Sequence, residues 1–270
     1  MTTTDTEGRP LRAIVTGSDS GIGRAVAVAF AGGGLDVGIT YHRDKDGAEQ
    51  TAREVREQGA RCAVAQLDLT DLPTGAAVID ELARELDGVD ALVNCSGTGT
   101  STPAMDMDFD TWRQVLSVDL DGVFLCSQRA AKWMIEAGHG GRIITITSVH
   151  EHAPRVGAAP YCAAKAGAGM LTKVLAQELA EYGITVNSVA PGEISTPMTG
   201  QENVDPATEE RPGIPLRRPG HAREIAALVA FLATAAAGYV TGSSFVADGG
   251  MLLMGPQAGS HLTSDDWRRP

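Results

Sequence analysis

The sequence predicts an α/β fold in which one parallel sheet of about seven strands carries helices on both faces. Two observations predict it. Short apolar runs alternate along the chain with longer segments of helical periodicity. Glycines, of which there are 32 among the 270 residues, separate most of these segments. Because no repeat, low-complexity tract or linker interrupts the pattern, we expect a single, doubly wound domain.

Seven short runs predict strands, because each is apolar or rich in β-branched residues and most end at glycine or polar residues. They cover residues 11–16, 37–41, 62–67, 91–93, 142–147, 184–189 and 244–246. Since a helical segment separates each pair of consecutive runs, we expect the strands to pair in parallel through βαβ connections.

Six longer segments predict helices, because their apolar residues recur at helical spacing and several of them end at glycines. They cover residues 22–31, 48–58, 76–86, 111–135, 161–182 and 225–234. The stretch 225–247 contains no charged side chain and is long enough to span a bilayer. Because Gly238 and Gly242 would interrupt such a span, we interpret the stretch as a buried helix, a turn and a buried strand.

We expect one ordered domain over residues 11–255, between flexible tails at residues 1–10 and 256–270. Within it, the stretch 196–219 holds five prolines and no regular pattern. This stretch follows the carboxyl end of a predicted strand, where ligands bind in open parallel sheets. We therefore expect it to form a substrate loop over the site.

Charge and cysteine content argue against several classes of protein. With 22 basic and 34 acidic side chains, the formal charge is −12, whereas nucleic-acid-binding proteins carry basic patches. The start of the chain is polar and lacks the apolar core of a secretory signal. The four cysteines form no C-x-x-C pair. We therefore expect a cytoplasmic protein without a nucleic-acid partner, a membrane partner or a metal.

The first predicted strand leads into a glycine-rich turn and then a helix, with the sequence TGSDSGIG over residues 16–23. Glycines in such a turn allow a tight bend and the close approach of a pyrophosphate to the free N–H groups of the helix start. Without a ligand, the same pattern would be an ordinary strand–helix turn. The residues predicted to contact a dinucleotide here are Gly17, Ser18, Ser20, Gly21, Ile22 and Gly23.

Tyr161 and Lys165 are four residues apart in a predicted helix, so their side chains share one face. An ammonium group beside a phenol favours the ionised phenolate, which makes the tyrosine a better proton donor. Ser148 ends a predicted strand, where its hydroxyl could meet the phenol. Taken singly, these residues have ordinary alternatives: a surface tyrosine and lysine, and a serine in a cap or loop.

Together these features resemble the short-chain dehydrogenase/reductase family in its compact, single-domain form. The resemblance covers roughly residues 11–250 and includes the family's motifs in their usual order. The matching segments are TGSDSGIG at 16–23, NCSG at 94–97, Ser148, Tyr161 with Lys165, PG with Thr196 over 191–196, and DGG at 248–250. The resemblance implies a Rossmann-type fold and hydride transfer between a nicotinamide dinucleotide and a carbonyl or secondary alcohol.

The resemblance also implies roles for individual side chains. Tyr161 would exchange a proton with the substrate oxygen, Lys165 would assist the phenol and bind the nicotinamide ribose, and Ser148 would polarise the carbonyl. Further cofactor contacts are implied for Asp68 and Leu69 at the adenine, for Asn94, Ser96 and Gly97 along the cofactor, for Pro191 and Gly192, and for Ile194 and Thr196 near the nicotinamide carboxamide. A homo-oligomer, a tetramer, is implied by the same resemblance.

Three positions depart from the family's pattern. Asp119 stands where the family has an asparagine that supports a water relay to the lysine. We expect Asp119 to take part in catalysis and, because it brings a charge near Lys165, to alter the pH profile. Cys95 and Ser96 stand where the family has Asn and Ala, which we expect to lower the stability of the sheet and not to affect the chemistry.

The end of the second predicted strand bears on the choice of cofactor. An acidic side chain there would bind the ribose 2′-hydroxyl of NAD, whereas basic side chains accommodate the 2′-phosphate of NADP. Tyr41 occupies the acid's position, and His42 and Arg43 follow, so we expect NADP(H) to be favoured over NAD(H). The alternative is that Arg43 is a solvated surface residue and that a shift of one residue brings Asp44 into the acid's position.

Residues 150–152 (HEH) come just after Ser148. His150 and His152 would share a face of an extended segment, which allows a metal pair, but no third ligand stands at a useful spacing. We favour the interpretation that these residues form the wall of the substrate pocket. His150 would then bind a polar group of the substrate.

The sequence therefore favours an oxidoreductase that uses NADP(H), or NAD(H), on a small-molecule carbonyl or secondary alcohol, with Tyr161 as general acid and base. A dinucleotide-binding scaffold or sensor without turnover is the alternative. An epimerase or dehydratase that recycles its cofactor is a third possibility, but the chain has little room for the second domain of such enzymes. Acyl-carrier-protein thioesters, sugars, diketones and steroids are all compatible as substrates.

Overall fold

Strands and helices alternate through the residues that the structure, a computed structural model, describes: 11–201 and 204–254. The strands are β1 (Arg12–Val15), β2 (Asp36–Tyr41), β3 (Cys62–Gln66), β4 (Ala91–Asn94), β5 (Gly141–Ile146), β6 (Ile184–Pro191), β7 (Ile194–Ser195), β8 (Gly220–His221) and β9 (Ser244–Ala247). The α-helices are α1 (Gly21–Gly32), α2 (Lys45–Glu57), α3 (Val78–Glu85), α4 (Phe109–Leu116), α5 (Gly122–Ala137), α6 (Ala159–Leu179) and α7 (Ala222–Leu232). The expected tails at 1–10 and 256–270 lie outside the described residues.

Seven of the strands form one sheet in the order β3-β2-β1-β4-β5-β6-β9, and every neighbouring pair is parallel. The predicted fold class is therefore confirmed. The chain builds outward from β1 through β2 and β3, and then returns to the other side of β1 with β4. Open α/β sheets bind ligands at the carboxyl ends of the strands at such a switch point.

The side chains of the sheet alternate between two apolar layers, because successive residues of a strand face opposite sides. In β1, Ala13 and Val15 pack into the first layer and Ile14 into the second, and all three are fully buried. Helices α1, α2 and α7 cover the first layer, and α3, α5 and α6 cover the second. Burial of one large aliphatic side chain stabilises a fold by about 1.5–3 kcal/mol, so the two layers hold the strand ends firmly in place.

The predicted helical run over residues 111–135 is present, but it contains a π-helical turn that the sequence did not predict. The structure has α4, then a π-helical segment at Ser117–Asp121, then α5. Gly122 follows the π-helical segment and packs so closely on Leu69 that a Cβ atom would lie 2.9 Å from the leucine side chain. Such π-helical turns occur mostly at functional sites, and this one contains the fully buried Asp119.

The uncharged stretch 225–247 forms a helix, a turn and a strand as the sequence predicts, since α7 ends at Leu232 and β9 begins at Ser244. The strand is not buried as expected, because β9 is the edge of the sheet and Val246 is exposed. Among the described residues, no helix is both long enough and apolar enough to cross a membrane. The remaining predicted helices differ from the observed ones mainly at their ends. Two of these ends are 3-10 turns, Gly75–Ala77 before α3 and Ala180–Tyr182 after α6.

Candidate active site

A cavity of about 510 Å³ opens at the carboxyl ends of strands β1 to β6, at the switch point of the sheet. Most of the residues that the sequence predicts for the site line it. They are Gly17, Ser20, Gly21, Ile22, Gly23, His42, Arg43, Asp68, Leu69, Ser96, Gly97, Ser148, Tyr161, Lys165, Pro191, Gly192, Ile194 and Thr196. The fold thus brings segments from both halves of the chain around one space.

The glycine-rich turn between β1 and α1 has a backbone that favours glycine. Gly17 and Gly21 have φ angles of +59° and +53°, in the left-handed region that other residues rarely adopt. A Cβ atom on Gly23 would lie 2.1 Å from the carbonyl oxygen of Gly17. The turn therefore presents bare backbone and the start of α1 to the cavity, as a pyrophosphate requires. These residues fit a nicotinamide dinucleotide.

Three residues predicted to contact the cofactor do not line the cavity. Ser18 is fully buried, and its hydroxyl donates to the carbonyl oxygen of Val15 at 2.7 Å. Asn94 donates from Nδ2 to the hydroxyl of Ser127 at 2.9 Å. Tyr41 packs against the first apolar layer. Ser18 and Asn94 thus make hydrogen bonds inside the fold, because buried polar groups need partners. Tyr41 contributes to the apolar packing.

The loop after β2 places His42, Arg43 and Asp44 at one end of the cavity. Asp44 caps the start of α2, where its carboxylate accepts a hydrogen bond from the backbone N–H of Gly47 at 2.9 Å. Nε2 of His42 is 3.6 Å from a carboxylate oxygen of Asp68. Arg43 is exposed. The Asp44 carboxylate, which could otherwise bind a ribose hydroxyl, is therefore engaged by the N-terminus of α2.

Ser148, Tyr161 and Lys165 meet in the cavity although they come from two parts of the chain. Ser148 follows β5, whereas Tyr161 and Lys165 lie one turn apart on α6. Nζ of Lys165 is 5.4 Å from the centre of the Tyr161 ring and donates to the carbonyl oxygen of Ile146 at 3.1 Å. Because the lysine side chain is almost fully buried, a buried cation is fixed beside the phenol ring.

Asp119 supplies a buried negative charge next to this cation. Its Oδ1 atom is 3.8 Å from Nζ of Lys165 and accepts from the backbone N–H of Thr98 at 3.0 Å. Its Oδ2 atom is buried and makes no hydrogen bond to the described residues. Burial raises the pKa of Asp119 to about 6, although Lys165 opposes the shift. Burial alone would lower the pKa of Lys165, but Asp119, together with Tyr161 and Cys95, raises it.

The segment that follows β5 uses two of its polar side chains for packing. The side chain of Glu151 is only 7% exposed, and it accepts from the hydroxyls of Thr147 at 2.7 Å and Ser244 at 3.2 Å. It approaches α6 so closely that a Cβ atom on Gly169 would lie 2.2 Å from its carboxylate. Nε2 of His152 is 3.3 Å from the Ser244 hydroxyl. The expectation that Glu151 and His152 form the pocket wall is therefore corrected.

His150, by contrast, lies next to the candidate catalytic tyrosine. Its ring stands edge-on to the ring of Tyr161, with 6.2 Å between the two centres. Its Nδ1 atom is 3.0 Å from the carbonyl oxygen of Ala153. His150 does not line the cavity. It contacts Tyr161, which does. Across residues 11–201 and 204–254, no three His, Cys, Asp or Glu side chains are grouped as a metal site.

The expected substrate loop at 196–219 is tied down at its base. The strands that flank it, β7 and β8, pair in parallel. Glu193 accepts at one carboxylate oxygen from Nε2 of Gln201 at 2.8 Å and from Nε of Arg211 at 2.7 Å. Residues 196–199 at the start of the loop line the cavity. The loop therefore borders the site, as its place in the sequence predicts.

The sequence did not single out several residues that the structure places at the site. Asp19 lies inside the glycine-rich turn and lines the cavity, and burial raises its pKa. Thr98 binds Asp119 through its backbone, and Met198 lines the cavity beside Thr196. Their position next to predicted residues is the only signal that could have found them, because their residue types are not specific to a cofactor.

A parallel α/β fold with a glycine-rich turn and a Ser–Tyr–Lys set at one cavity is typical of nicotinamide-dependent oxidoreductases. Residues 17–252 match the family model adh_short_C2, which is described as enoyl-(acyl carrier protein) reductase. The chain belongs to the short-chain dehydrogenase/reductase family.

Relatives are similar over nearly the whole chain. The uncharacterized oxidoreductase YohF of Escherichia coli is 51% identical over 245 residues, which are 91% of this chain and 97% of that protein. The crystal structure of acetoin dehydrogenase YohF from Salmonella typhimurium is 50% identical with a TM-score of 0.87, over 92% of this chain and 98% of that one. An Agrobacterium tumefaciens structure with bound NADP is 32% identical with a TM-score of 0.80, over 90% and 96% of the two chains.

The protein is therefore an oxidoreductase that acts on alcohol or carbonyl substrates, and its family uses NAD or NADP. This confirms the prediction of an enzyme of that reaction class. The alternative of a binding scaffold without turnover is not favoured.

Proposed function

We propose that this protein interconverts a small ketone and the corresponding secondary alcohol, with acetoin as a substrate and NADP(H) as the cofactor. The observation that supports the reaction most is that Ser148, Tyr161 and Lys165 meet beside the glycine-rich turn in one cavity. The choice of substrate is supported by a 50% identical relative whose name is acetoin dehydrogenase.

Tyr161 is the general acid and base of the proposed reaction. In reduction its hydroxyl donates a proton to the substrate oxygen, and in oxidation it takes that proton back. Ser148 holds the same oxygen by a hydrogen bond, and Lys165 stabilises the ionised phenol and binds the nicotinamide ribose. When bound, the cofactor supplies the hydride in reduction and accepts it in oxidation. A carbonyl group thus gains one hydride at carbon and one proton at oxygen.

Asp119 is a positioning residue in this proposal. It does not line the cavity, but it contacts Lys165 and the backbone of Thr98. A buried ammonium group without a counter-ion is costly, so the carboxylate keeps Lys165 charged beside the phenol.

The remaining cofactor contacts are proposed from the lining of the cavity together with the family resemblance. They are Gly17, Ser20, Gly21, Ile22 and Gly23 at the pyrophosphate, Asp68 and Leu69 at the adenine, Ser96 and Gly97 along the cofactor, and Pro191, Gly192, Ile194 and Thr196 towards the nicotinamide. These segments follow strands β1, β3, β4 and β6, so the dinucleotide would lie across the carboxyl edge of the sheet.

The test of this function is an assay of the purified protein with acetoin and each reduced cofactor. We expect acetoin to cause oxidation of NADPH, with kcat/KM about tenfold higher than with NADH, which corresponds to about 1.4 kcal/mol of cofactor discrimination. Turnover of acetoin in neither direction, as reduction with NADPH or NADH or as oxidation with NADP⁺ or NAD⁺, contradicts the proposed substrate. A preference for NADH contradicts the proposed cofactor alone.

The preference for NADP(H) rests on the cavity end that holds Arg43. Because Arg43 is exposed there and Asp44 is held by the helix start, we expect the guanidinium to bind the 2′-phosphate. Replacing Arg43 by Ala should raise KM for NADPH about tenfold and leave KM for NADH nearly unchanged, since a charge-assisted contact contributes about 1.5–3 kcal/mol before solvent screening.

The matched control for this prediction is Arg53→Ala. Arg53 is also exposed, but it lies on α2 outside the cavity, so its loss should change neither KM. If Arg43→Ala raised KM equally for NADPH and NADH, Arg43 would not be the residue that recognises the 2′-phosphate.

The proposed assembly is a homotetramer in the cytoplasm, as the family resemblance implies. Large apolar side chains are exposed on α5, α6 and the edge strand β9: Phe124, Met170, Val174 and Val246. All four cysteines are free thiols, which suits a reducing compartment. Light scattering of the purified protein measures the number of subunits, and a monomeric mass contradicts this assembly.

A further inference from the structure

Asp19 brings a half-buried acidic side chain to the end of the cavity that is formed by the loop after β2. It belongs to the glycine-rich turn and lines the same space as His42, Arg43 and Asp44. A Cβ atom on Gly47 would lie 2.8 Å from the carbonyl oxygen of Asp19 and even closer to a carboxylate oxygen of Asp44. The glycine-rich turn and the start of α2 therefore meet at this end of the cavity.

The backbone of Asp19 is held in place by Arg24. The Arg24 guanidinium donates from Nη2 to the carbonyl oxygen of Asp19 and, at 3.2 Å, to that of Gly47. From Nε it donates to the hydroxyl of Thr51 at 3.0 Å. These bonds join the glycine-rich turn to helix α2. They also direct the guanidinium to two carbonyl groups and a hydroxyl, and not to the Asp19 carboxylate.

The Asp19 carboxylate itself has few partners. Among residues 11–201 and 204–254, its only side-chain hydrogen bond is a long one, which Oδ2 accepts from the hydroxyl of Ser20 at 3.4 Å. Burial is the main cause that raises the pKa of Asp19, and the charge of Asp44 raises it further. Both effects indicate that the surrounding groups compensate this negative charge only in part.

Two further carboxylates line this end of the cavity, and both accept hydrogen bonds from nearby backbone. Asp44 accepts from the N–H of Gly47 at 2.9 Å. Asp68 accepts at one oxygen from the N–H of Thr70 at 2.8 Å and from the hydroxyl of the same residue at 2.6 Å. Of the three acids, Asp19 therefore has the largest free capacity to accept hydrogen bonds from a ligand.

We infer that Asp19 is a cofactor-specificity residue, whose carboxylate favours an adenine ribose with a free 2′-hydroxyl and weakens the binding of a 2′-phosphate. A carboxylate accepts hydrogen bonds from a ribose hydroxyl, whereas it repels a phosphate, which is negatively charged and also an acceptor. The inference rests on the proposed function, because it assumes that the adenosine half of the dinucleotide lies at the end of the cavity that holds Arg43. It deepens that function by assigning opposite effects to two charges: Arg43 attracts the phosphate, and Asp19 repels it.

The test measures the dissociation constants of NADPH and NADH by fluorescence titration of the wild type and of Asp19→Asn. These two cofactors differ only in the 2′-phosphate, so the ratio of their dissociation constants isolates its recognition. The substitution keeps the size of the side chain and an acceptor oxygen, and it removes the charge. We expect Asp19→Asn to tighten the binding of NADPH about five- to tenfold and to change that of NADH by less than about twofold.

The matched control is Asp46→Asn, which removes the same charge from the protein. Asp46 lies in the first turn of α2, is exposed and does not line the cavity. Because solvent and salt screen a charge at such a position, we expect neither dissociation constant to change by more than about twofold. The control thus separates the local effect of Asp19 from an effect of net charge.

The inference is overturned if the affinity for NADPH relative to NADH does not rise in Asp19→Asn. Equal tightening of both cofactors would place the carboxylate at the pyrophosphate, which they share, and an equal loss would indicate a structural role. The outcome does not depend on the cofactor that the wild type prefers. A wild-type preference for NADH contradicts the proposed cofactor, whereas a selective gain for NADPH in Asp19→Asn still supports the inference.

Discussion

Replacing Tyr161 by Phe is expected to lower kcat for acetoin reduction by about 10²–10⁴-fold, the usual contribution of a positioned general acid. Phe keeps the ring that lies beside Lys165 and His150 and removes only the hydroxyl that exchanges the proton. The dissociation constant for NADPH should change by less than about threefold, because the proposed cofactor contacts lie mainly in the glycine-rich turn and the strand ends. Steady-state assays and fluorescence titration measure the two quantities.

The control for this prediction is Tyr182→Phe. Tyr182 is 43% exposed and lies in the turn after α6, outside the cavity. Its variant should keep the wild-type kcat. If Tyr161→Phe retains turnover within about tenfold of the wild type, which is below the range for general acids, then Tyr161 is not the proton donor. The proposed mechanism would then fail even if the substrate is correct.

Replacing Asp119 by Leu is expected to lower the free energy of unfolding by about 3–5 kcal/mol, because it leaves the buried ammonium of Lys165 without its counter-ion. Asp119→Asn also removes the charge, but it should cost less, because the amide oxygen can still accept from the backbone N–H of Thr98 and presents a polar atom to the Lys165 ammonium. Urea unfolding of both variants measures the difference. Asp121→Asn is the matched control, because Asp121 is exposed two residues away.

The same carboxyl group predicts a dependence of stability on pH. Burial raises the pKa of Asp119 from 3.8 to about 6, so the folded state binds more protons than the unfolded state between these two values. The free energy of unfolding should therefore fall as pH rises through this window, by on the order of 2–3 kcal/mol. Asp119→Asn should lack this contribution. Equal slopes for the two proteins would contradict the raised pKa.

Asp119→Asn should also change the pH dependence of activity, and this change is expected at alkaline pH. The carboxylate raises the pKa of Lys165 against the effect of burial. Without it, Lys165 should lose its proton at a lower pH, so the alkaline limb of the kcat/KM profile should move to lower pH. A merely structural role of Asp119 would lower activity at every pH alike. An alkaline limb that does not move would contradict the proposed positioning role.

The sheet could be predicted from local pattern because its strands are short apolar runs between glycines, and the central ones are buried on both faces. The π-helical turn inside the helical run over 111–135 could not be predicted, because the apolar spacing continues through Ser117–Asp121 without a break. The π-helical segment is accompanied by two tertiary contacts: Gly122 packs on Leu69, and Asp119 lies next to Lys165. The family resemblance predicts that Asp119 lies near Lys165, but nothing in the sequence indicates the contact between Gly122 and Leu69 or the π-helical turn itself.

In the candidate site, the motifs correctly predict which backbone segments reach the cavity. They predict less well which side chains of those segments face it. The TGSDSGIG turn lies at the cavity, yet the side chain of Ser18 bonds inward while that of Asp19 lines the cavity. Likewise, Tyr41 ends the correct strand but packs against the core. The direction of a side chain depends on partners from distant strands and helices, which a linear motif does not record.

The close approach of Glu151 to Gly169 constrains which amino-acid substitutions this protein can accept at these two positions in evolution. A methyl group at position 169 would overlap the carboxylate, and that carboxylate also joins the end of β5 to β9 through Thr147 and Ser244. The two positions are therefore expected to co-vary across homologues. Alanine at 169 would require the Glu151 side chain to move or to be replaced, with loss of its hydrogen bonds to Thr147 and Ser244.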